Sequence, residues 1–549
     1  MSSRILYSSG RIVFVQFILL IGFCALLGRL VYLQIYQDVF LDDQVFTRLD
    51  SQYSLLAPRG KILDRNDNIL ALDIKGYSVG LDLEKFIYDP QTIVTLSNIL
   101  NKNPITLSKS LEGRLSGYKE ISRNVNLETK ENLKGMKVSG LYFRENLRRS
   151  YPEKDIISHV VGLTDIDRKG IQGVELIFQN ELLGKEGSFE GIKGAKNIKL
   201  EGKRIKAEAG KDIKLTIDIN IQSIVYHELE KAIKKNNAQA GSVVVIDPQS
   251  GDILALVNSP SFDPSRRKNL TDMSALRNRA TIDVFEPGSV LKPIAMSAIV
   301  ESNKHPLSSK INTSPGWIEF EGFRTSDFKD YGLLNLSEVI SLSSNVGMVK
   351  LCEKQDIEHL TNYYKKFGIG RYPTSIMIPA REGFLPHHTQ FTSRDKVSSC
   401  YGYGVTLSAL QIAQAYSVFA NDGNFIELKL FTEHSFDKPM KERVISEETN
   451  QIILKMLVET VNSKSGTASK ARINNMIVAG KTGTAKETLA EETTYTGTFA
   501  GFVPSKDPEF LAVVVLHGLS VEDYSGGKVS APVFSNIMQQ IFLSKDLKI

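Results

Sequence analysis

A serine hydroxyl is a poor nucleophile until a nearby base takes its proton. A lysine can be that base if its pKa falls from ~10.4 toward neutrality. Residues three apart share a helix face, so Ser-x-x-Lys sets the two groups side by side. The pattern occurs at Ser116, Ser265, Ser289, Ser326, Ser393, Ser435 and Ser525, too often for spacing alone to choose between them. Setting selects Ser289. The chain there reads Phe285-Glu286-Pro287-Gly288-Ser289-Val290-Leu291-Lys292-Pro293. Pro287-Gly288 breaks the chain, and an apolar helical segment runs on through Ile294, Ala295, Ala298 and Ile299. Ser289 is thus expected at a helix start, where unpaired N–H groups favour developing negative charge. Pro293 fits only in a first turn. The other six matches lie in polar, loop-like sequence.

Two further groups follow in order. Ser343-Ser344-Asn345 closes the helical run Leu336 to Leu342. Ser343 can relay a proton, and Asn345 can hold a substrate amide. Lys481-Thr482-Gly483-Thr484 follows the strand-like Met476-Ile477-Val478-Ala479-Gly480. Its lysine and threonine side chains can bind a carboxylate, and a glycine there permits close approach of a substrate. A second match, Lys464-Ser465-Gly466-Thr467, follows the helix Ile452 to Val461 in polar sequence and reads as a loop.

These residues need a scaffold. Ile221, Ile224, Val225, Leu229, Ala232 and Ile233 repeat at helical spacing. Gly241 to Asp247 reads as a strand, Pro248 to Gly251 as a turn, and Ile253 to Val257 as a return strand. Helices are expected around 291–301, 336–352, 406–420, 447–461 and 532–543, and late strands at 475–480, 497–503 and 509–516. An early hairpin, a helical middle and late strands predict an α+β fold, with helices packed on an antiparallel sheet, over 236–546. Residues 51–211 are polar and irregular, punctuated by glycines, and carry no catalytic constellation. They are expected to form a β-rich pedestal.

Ile12 to Gly28 is nearly unbroken apolar sequence, and with Leu30 to Ile35 it reaches the ~20 residues a spanning helix needs. Arg4 and Arg11 precede it; Asp38, Asp42 and Asp43 follow. Residues 12–36 are therefore expected to be a single uncleaved anchor, with a cytoplasmic tail at 1–11 and the remainder outside. The 549 residues exceed one ordinary core. Net charge is only +5 and no basic block occurs, so nucleic acid is not an expected partner. Cys24, Cys352 and Cys400 make no C-x-x-C pair. No zinc site is expected, and Cys352 and Cys400 are expected to be buried free thiols, pairing only as the alternative. The histidines are scattered, apart from His387-His388, and are given packing or surface roles. Trp317, Ile318 and Phe320 suit either a cleft wall or the core.

Ser-x-x-Lys, Ser-x-Asn and Lys-Thr-Gly in that order resemble the signature of penicillin-recognising serine enzymes. The resemblance to class B penicillin-binding proteins covers nearly the whole chain. In the pedestal it is carried by Arg59-Gly60-Lys61-Ile62-Leu63-Asp64-Arg65-Asn66, Gly170-Ile171-Gln172-Gly173-Val174-Glu175 and, more loosely, Arg149-Ser150-Tyr151-Pro152. Glu286 to Ser289, Ser343 to Met348, Gly402-Tyr403-Gly404 and Ala479 to Ala485 are similar to the division-specific, FtsI-type branch. The chain ends soon after its last expected helix, which favours a Gram-negative type over relatives with C-terminal repeats.

The resemblance implies a D,D-transpeptidase acting on peptidoglycan stem peptides that end in D-Ala-D-Ala. It implies Ser289 as nucleophile, Lys292 as acylation base, and Ser343 and Lys481 as a proton path to the leaving amine. It implies an oxyanion hole from the N–H groups of Ser289 and Thr484, and carboxylate binding by Thr482 and Thr484. It implies β-lactam acylation of Ser289, no cofactor or metal, an FtsW-type glycosyltransferase and other division proteins as partners, and a periplasmic catalytic domain on the inner membrane. Three rival readings stay open: a β-lactamase, a non-catalytic β-lactam receptor or division scaffold, and an elongation- or sporulation-specific relative.

Overall fold

The computed structural model describes residues 9–32, 50–112, 116–193, 199–266, 272–373, 376–432, 441–489, 492–520 and 524–546. The chain forms two compact units, one from Met1–Pro58 with Leu183–Gly210 and one from Arg59–Leu182 with Lys211–Ile549.

In the first unit, Ser9–Val31 is a single helix. Its stretch Ile12–Val31 has a mean hydropathy of 2.3 and no buried residue. Twenty residues at 1.5 Å each match the ~30 Å of a bilayer core. The expected anchor at 12–36 overlaps this helix; residues 33–36 and 1–8 lie outside the described residues. Asp50–Leu55, Gly187–Lys193 and Lys199–Ile205 make a separate antiparallel sheet.

The second unit cuts across the expected 51–211 pedestal. Within residues 59–182 the long strand Ile69–Asp82 pairs antiparallel with Tyr118–Val125 and Leu141–Ser150. A buried ionic cluster ties its motifs together. The Glu175 carboxylate accepts from Arg59 Nε and Arg149 Nε, each at 2.6 Å. Asp73 pairs with Arg149 and with Arg168. Arg59, Arg149 and Glu175 belong to the motifs that carry the pedestal resemblance, and their contacts here are structural: removing one partner of a buried pair costs about 3–5 kcal/mol.

The same unit contains a central antiparallel sheet: β1 (Ala240–Ile246), β2 (Ile253–Ser259), β3 (Ala479–Leu489), β4 (Glu492–Val503) and β5 (Phe510–Leu519), in the order β2-β1-β5-β4-β3. Around it lie α1 (Ile219–Asn236), α2 (Lys292–Glu301), α3 (Leu336–Ser341), α4 (Asn345–Glu353), α5 (Ser393–Ser399), α6 (Ala409–Ala420), α7 (Glu447–Asn462) and α8 (Gly526–Asp546). Both faces of the sheet are covered, so β1 is buried throughout instead of alternating between buried and exposed. Val243 and Val245 meet Val225 and Leu229 of α1 and Phe534 and Ile537 of α8 in one core. Val244 and Ile246 join Ile294 and Ala295 of α2 and Ala413 of α6 in the other. The Phe499 and Phe534 rings meet edge to face at 4.8 Å; burying one such ring contributes about 1.5–3 kcal/mol.

Helix α1 packs on this sheet. Gln222 of α1 fixes it doubly, donating to Leu256 O at 2.9 Å and accepting from Leu256 N at 2.8 Å. Gln222 also donates to Ile156 O, which is one reason why residues 59–182 do not separate from the rest. Three local expectations are corrected. The run 336–352 is two helices, broken at Leu342–Ser344. The strand expected at 475–480 begins only at Ala479, because Asn475 turns the chain with φ 62°. The last helix begins at Gly526 and tolerates Pro532 inside it.

Cys352 and Cys400 are not free thiols: they form a disulfide. Helices α4 and α5 lie side by side and bring the two Cα atoms to 6.5 Å, within bridging range. A separation of 48 residues hides that neighbourhood from sequence.

Candidate active site

Gly288–Leu291 forms a tight 3-10 turn that runs directly into α2. Pro293 sits in the first turn of α2, where a missing N–H costs little. Gly288 has φ 56° and could not be replaced without strain. Its N–H donates to Gly402 O, and a Cβ on Gly402 would fall 1.9 Å from Gly288 O. Gly404 N donates to Glu286 Oε1. The Gly402-Tyr403-Gly404 stretch therefore packs against the turn that carries Ser289. On the other side lies β3, an edge strand of the sheet. A Cβ on Gly483 would fall 2.6 Å from Pro287 O, and one on Gly288 2.6 Å from Thr484 O. Gly483 thus permits the close approach of Pro287, which draws the Thr484 backbone alongside the Ser289 turn.

Ser343 lies in the break between α3 and α4, with φ 60°. A non-glycine residue in this left-handed region costs about 1–2 kcal/mol. The conformation is held from several sides. Ser343 N donates to Ile340 O, and Lys292 Nζ donates to Ser343 O at 2.6 Å. Ser344 caps α4 by accepting from Gly347 N at 2.9 Å.

These segments converge on one cavity of about 600 Å³, lined among others by Ser289, Ser343, Asn345, Thr482, Gly483 and Thr484. Lys292 and Lys481 are both fully buried and both reach Ser343, which lines the cavity. Lys292 Nζ reaches Asn345 Oδ1 at 2.7 Å and Ser343 Oγ at 3.1 Å. Lys481 Nζ reaches the same Ser343 Oγ at 3.0 Å and donates to Thr482 O at 3.1 Å. One hydroxyl thus bridges two amines. Burial pushes Lys481 from the ordinary lysine range down to about 7. Lys292 is held well below that range, first by burial and then by the positive charge of Lys481; Asp327 opposes both. Lys292 Nζ thus has three acceptors within reach: Ser343 O, Ser343 Oγ and Asn345 Oδ1. Among the described residues no group of His, Cys, Asp or Glu is arranged to hold a metal ion.

The remaining sequence candidates fall as follows. Thr482 and Thr484 line the cavity, and Thr484 Oγ1 accepts from Gly526 N at 3.3 Å. Ser393 heads helix α5 and is not in a loop, but Lys396 is committed to Glu353 O and Gln355 O. Ser525 lies at the start of α8 and lines the same cavity as Ser289. Ser435 and Lys268 lie outside the described residues. Trp317 is not on the cavity wall; it stacks under the Arg324 guanidinium on a short hairpin, while Ile318 and Phe320 pack against the core.

The chain just after that hairpin holds a residue sequence reasoning missed. Asp327 accepts from Ser344 Oγ at 2.6 Å and from the N–H groups of Asn345 and Val346. Asn345 Nδ2 meanwhile donates to Ser326 O at 3.0 Å. Asp327 thereby anchors the start of α4 and aims Asn345. Its only sequence signal was its place inside one of the discounted Ser-x-x-Lys matches.

Residues 241–539 match the family described as penicillin binding protein transpeptidase domain, and residues 54–215 match the penicillin-binding protein dimerisation domain. The chain is 32% identical over 541 residues to the probable peptidoglycan D,D-transpeptidase PenA of Neisseria gonorrhoeae, covering 97% of this chain and 92% of that one. It is 31% identical over 542 residues to the peptidoglycan D,D-transpeptidase FtsI of Escherichia coli, covering 96% and 91%. Among solved structures, a peptidoglycan synthetase from Bifidobacterium adolescentis superposes with a TM-score of 0.70 at 25% identity, over 90% of this chain and 97% of that one. The transpeptidase domain of Burkholderia pseudomallei penicillin-binding protein 3 superposes with a TM-score of 0.54 at 31% identity, over 60% and 96%.

Proposed function

The chain belongs to the penicillin-binding proteins, with their transpeptidase domain behind their dimerisation domain, and from this premise we propose that Ser289 carries a peptidoglycan stem peptide as an acyl-enzyme. The enzyme class is D,D-transpeptidase of the FtsI type. One observation supports the residue roles above others: Ser343 Oγ stands within hydrogen-bond reach of both buried lysines, in the cavity that Ser289 lines.

The donor stem enters with its terminal carboxylate toward Thr482 and Thr484. Ser289 Oγ attacks the penultimate D-Ala carbonyl carbon, and its proton passes to neutral Lys292. The N–H groups of Ser289 and Thr484 receive the oxyanion. As the C–N bond breaks, the leaving D-Ala amine takes a proton from Ser343 Oγ, which Lys481 replaces. Asn345 orients the stem amide. An acceptor amine then attacks the ester and forms the cross-link: its proton passes through Ser343 Oγ back to Lys481, and Lys292 returns to Ser289 Oγ the proton it took. Penicillin enters by the same first step.

The apolar helix at the N-terminus acts as the anchor, with the tail at 1–11 in the cytoplasm and the catalytic part in the periplasm, in keeping with the charge asymmetry around it. The site of work is the division septum, beside an FtsW-type glycosyltransferase that supplies the glycan. Given a pentapeptide stem and an amine acceptor, the full chain is expected to release D-Ala and form the acceptor-linked tetrapeptide. Release of D-Ala with no transfer would contradict the reaction. Depletion in cells is expected to give filaments; round cells would move the role to elongation.

A further inference from the structure

The disulfide closes a ring of contacts around the nucleophile. Cys352 lies in the last turn of α4, and Asn345 opens the same helix. Cys400 ends α5 and leads at once into Tyr401-Gly402-Tyr403-Gly404. From the Ser289 turn the ring runs into α2 and Lys292, across to Asn345 Oδ1 at 2.7 Å, and along α4 to Cys352. It crosses the disulfide to Cys400 and returns through Gly402 O, which accepts from Gly288 N at 3.2 Å. Tyr401 and Tyr403 of the returning stretch line the catalytic cavity.

The segments of this ring are short and stiff. Helix α4 rises about 10 Å from Asn345 to Cys352, so a shift at one end is felt at the other. Beside the bridge, Lys396 of α5 donates to Glu353 O at 3.0 Å and to Gln355 O at 3.1 Å. Tyr401 Oη lies 3.2 Å from Thr325 Oγ1, on the strand that leads to Asp327. These hydrogen bonds can stretch or exchange with water; the covalent link cannot. Both cysteines are fully buried, which keeps the bond from dissolved thiols. A bridge that served stability alone would act mainly on the unfolded chain and would need no place in this ring.

We propose that the Cys352–Cys400 disulfide is a positioning brace that fixes Asn345 relative to the Ser289 turn, and that full acylation requires its formation. This rests on the readings that Ser289 is acylated and that the catalytic part lies in the periplasm, where thiols are oxidised. Each cysteine gives up its thiol proton as the S–S bond forms, and the two electrons reduce a protein disulfide of that compartment to a dithiol. Neither cysteine lines the cavity, so neither is a catalytic residue.

The test uses the full-length protein purified without reductant. Alkylation after denaturation is expected to mark Cys24 alone; labelling of all three cysteines would overturn the proposal. Stopped-flow acylation by a fluorescent penicillin is then compared with that of Cys352→Ala/Cys400→Ala and of Cys352→Val/Cys400→Ala, which refills more of the buried space, at a temperature where each is folded. The limiting acylation rate is expected to fall about tenfold in both, less than the ~hundredfold of a 1 Å misplacement, with initial binding unchanged. A lower melting temperature with the acylation rate intact, or a loss confined to binding, reduces the bridge to a stabiliser and overturns the brace. Failure of both variants to fold makes it a folding element and overturns the brace as well. If the wild type takes no label on Ser289, the acyl-enzyme reading itself fails, and the brace with it.

Discussion

Replacing Lys292 by methionine is expected to slow acylation of Ser289 by penicillin about a thousandfold, the middle of the range for a positioned general base. Methionine keeps the unbranched stem, so the fully buried site stays filled. What disappears is the amine that contacts Asn345 and both the carbonyl and the hydroxyl of Ser343. The deficit is therefore expected in the acylation step and not in initial binding, since the groups assigned to the carboxylate are untouched. Stopped-flow traces at rising penicillin concentration separate the two. A loss confined to binding affinity would remove Lys292 from the role of base.

The second large effect concerns pH. In the proposed mechanism Lys292 must be neutral to take the Ser289 proton, and Lys481 must be charged to replace the proton of Ser343. Lys481 has a pKa of about 7, and Lys292 is held well below the ordinary lysine range, partly by the charge of Lys481. Acylation efficiency is expected to rise with pH as Lys292 loses its proton, and to fall again above about 7 as Lys481 loses its own. The sign in a variant follows. Lys481→Met removes a positive charge that favours neutral Lys292, so the Lys292 pKa rises. The acid limb should move to higher pH, the alkaline limb should vanish, and the maximum rate should drop about a hundredfold. A full pH–rate profile checks all three. An acid limb that stayed in place would mean the two amines do not sense each other.

Much of this site was legible in the chain. Ser289, Lys292, Ser343, Asn345 and Lys481 stand out by residue type and order, and breaker residues placed Ser289 at a helix start. The sheet was legible too, since Val243 to Ile246 is too apolar to be a surface strand. Three things were not legible, each because it depends on residues distant in the chain. Asp327 meets Ser344 only through the fold. Cys352 and Cys400 meet only because α4 and α5 lie side by side. The pull on the lysines comes from burial, and a pattern of letters carries no solvent. Gly483 shows the limit from the other direction: its need for a small side chain was visible, but the neighbour that requires it, Pro287, was not.

The central claim is that Ser289, one of seven Ser-x-x-Lys serines, is the one acylated. Labelling the full-length protein with a fluorescent penicillin, followed by peptide mapping, tests it most directly. The label is expected on the peptide carrying Ser289, and none is expected in Ser289→Ala. Ser525 is the sharpest alternative, because it lines the same cavity and has Lys528 three residues on. A label on Ser525, or one that survives in Ser289→Ala, would contradict the account.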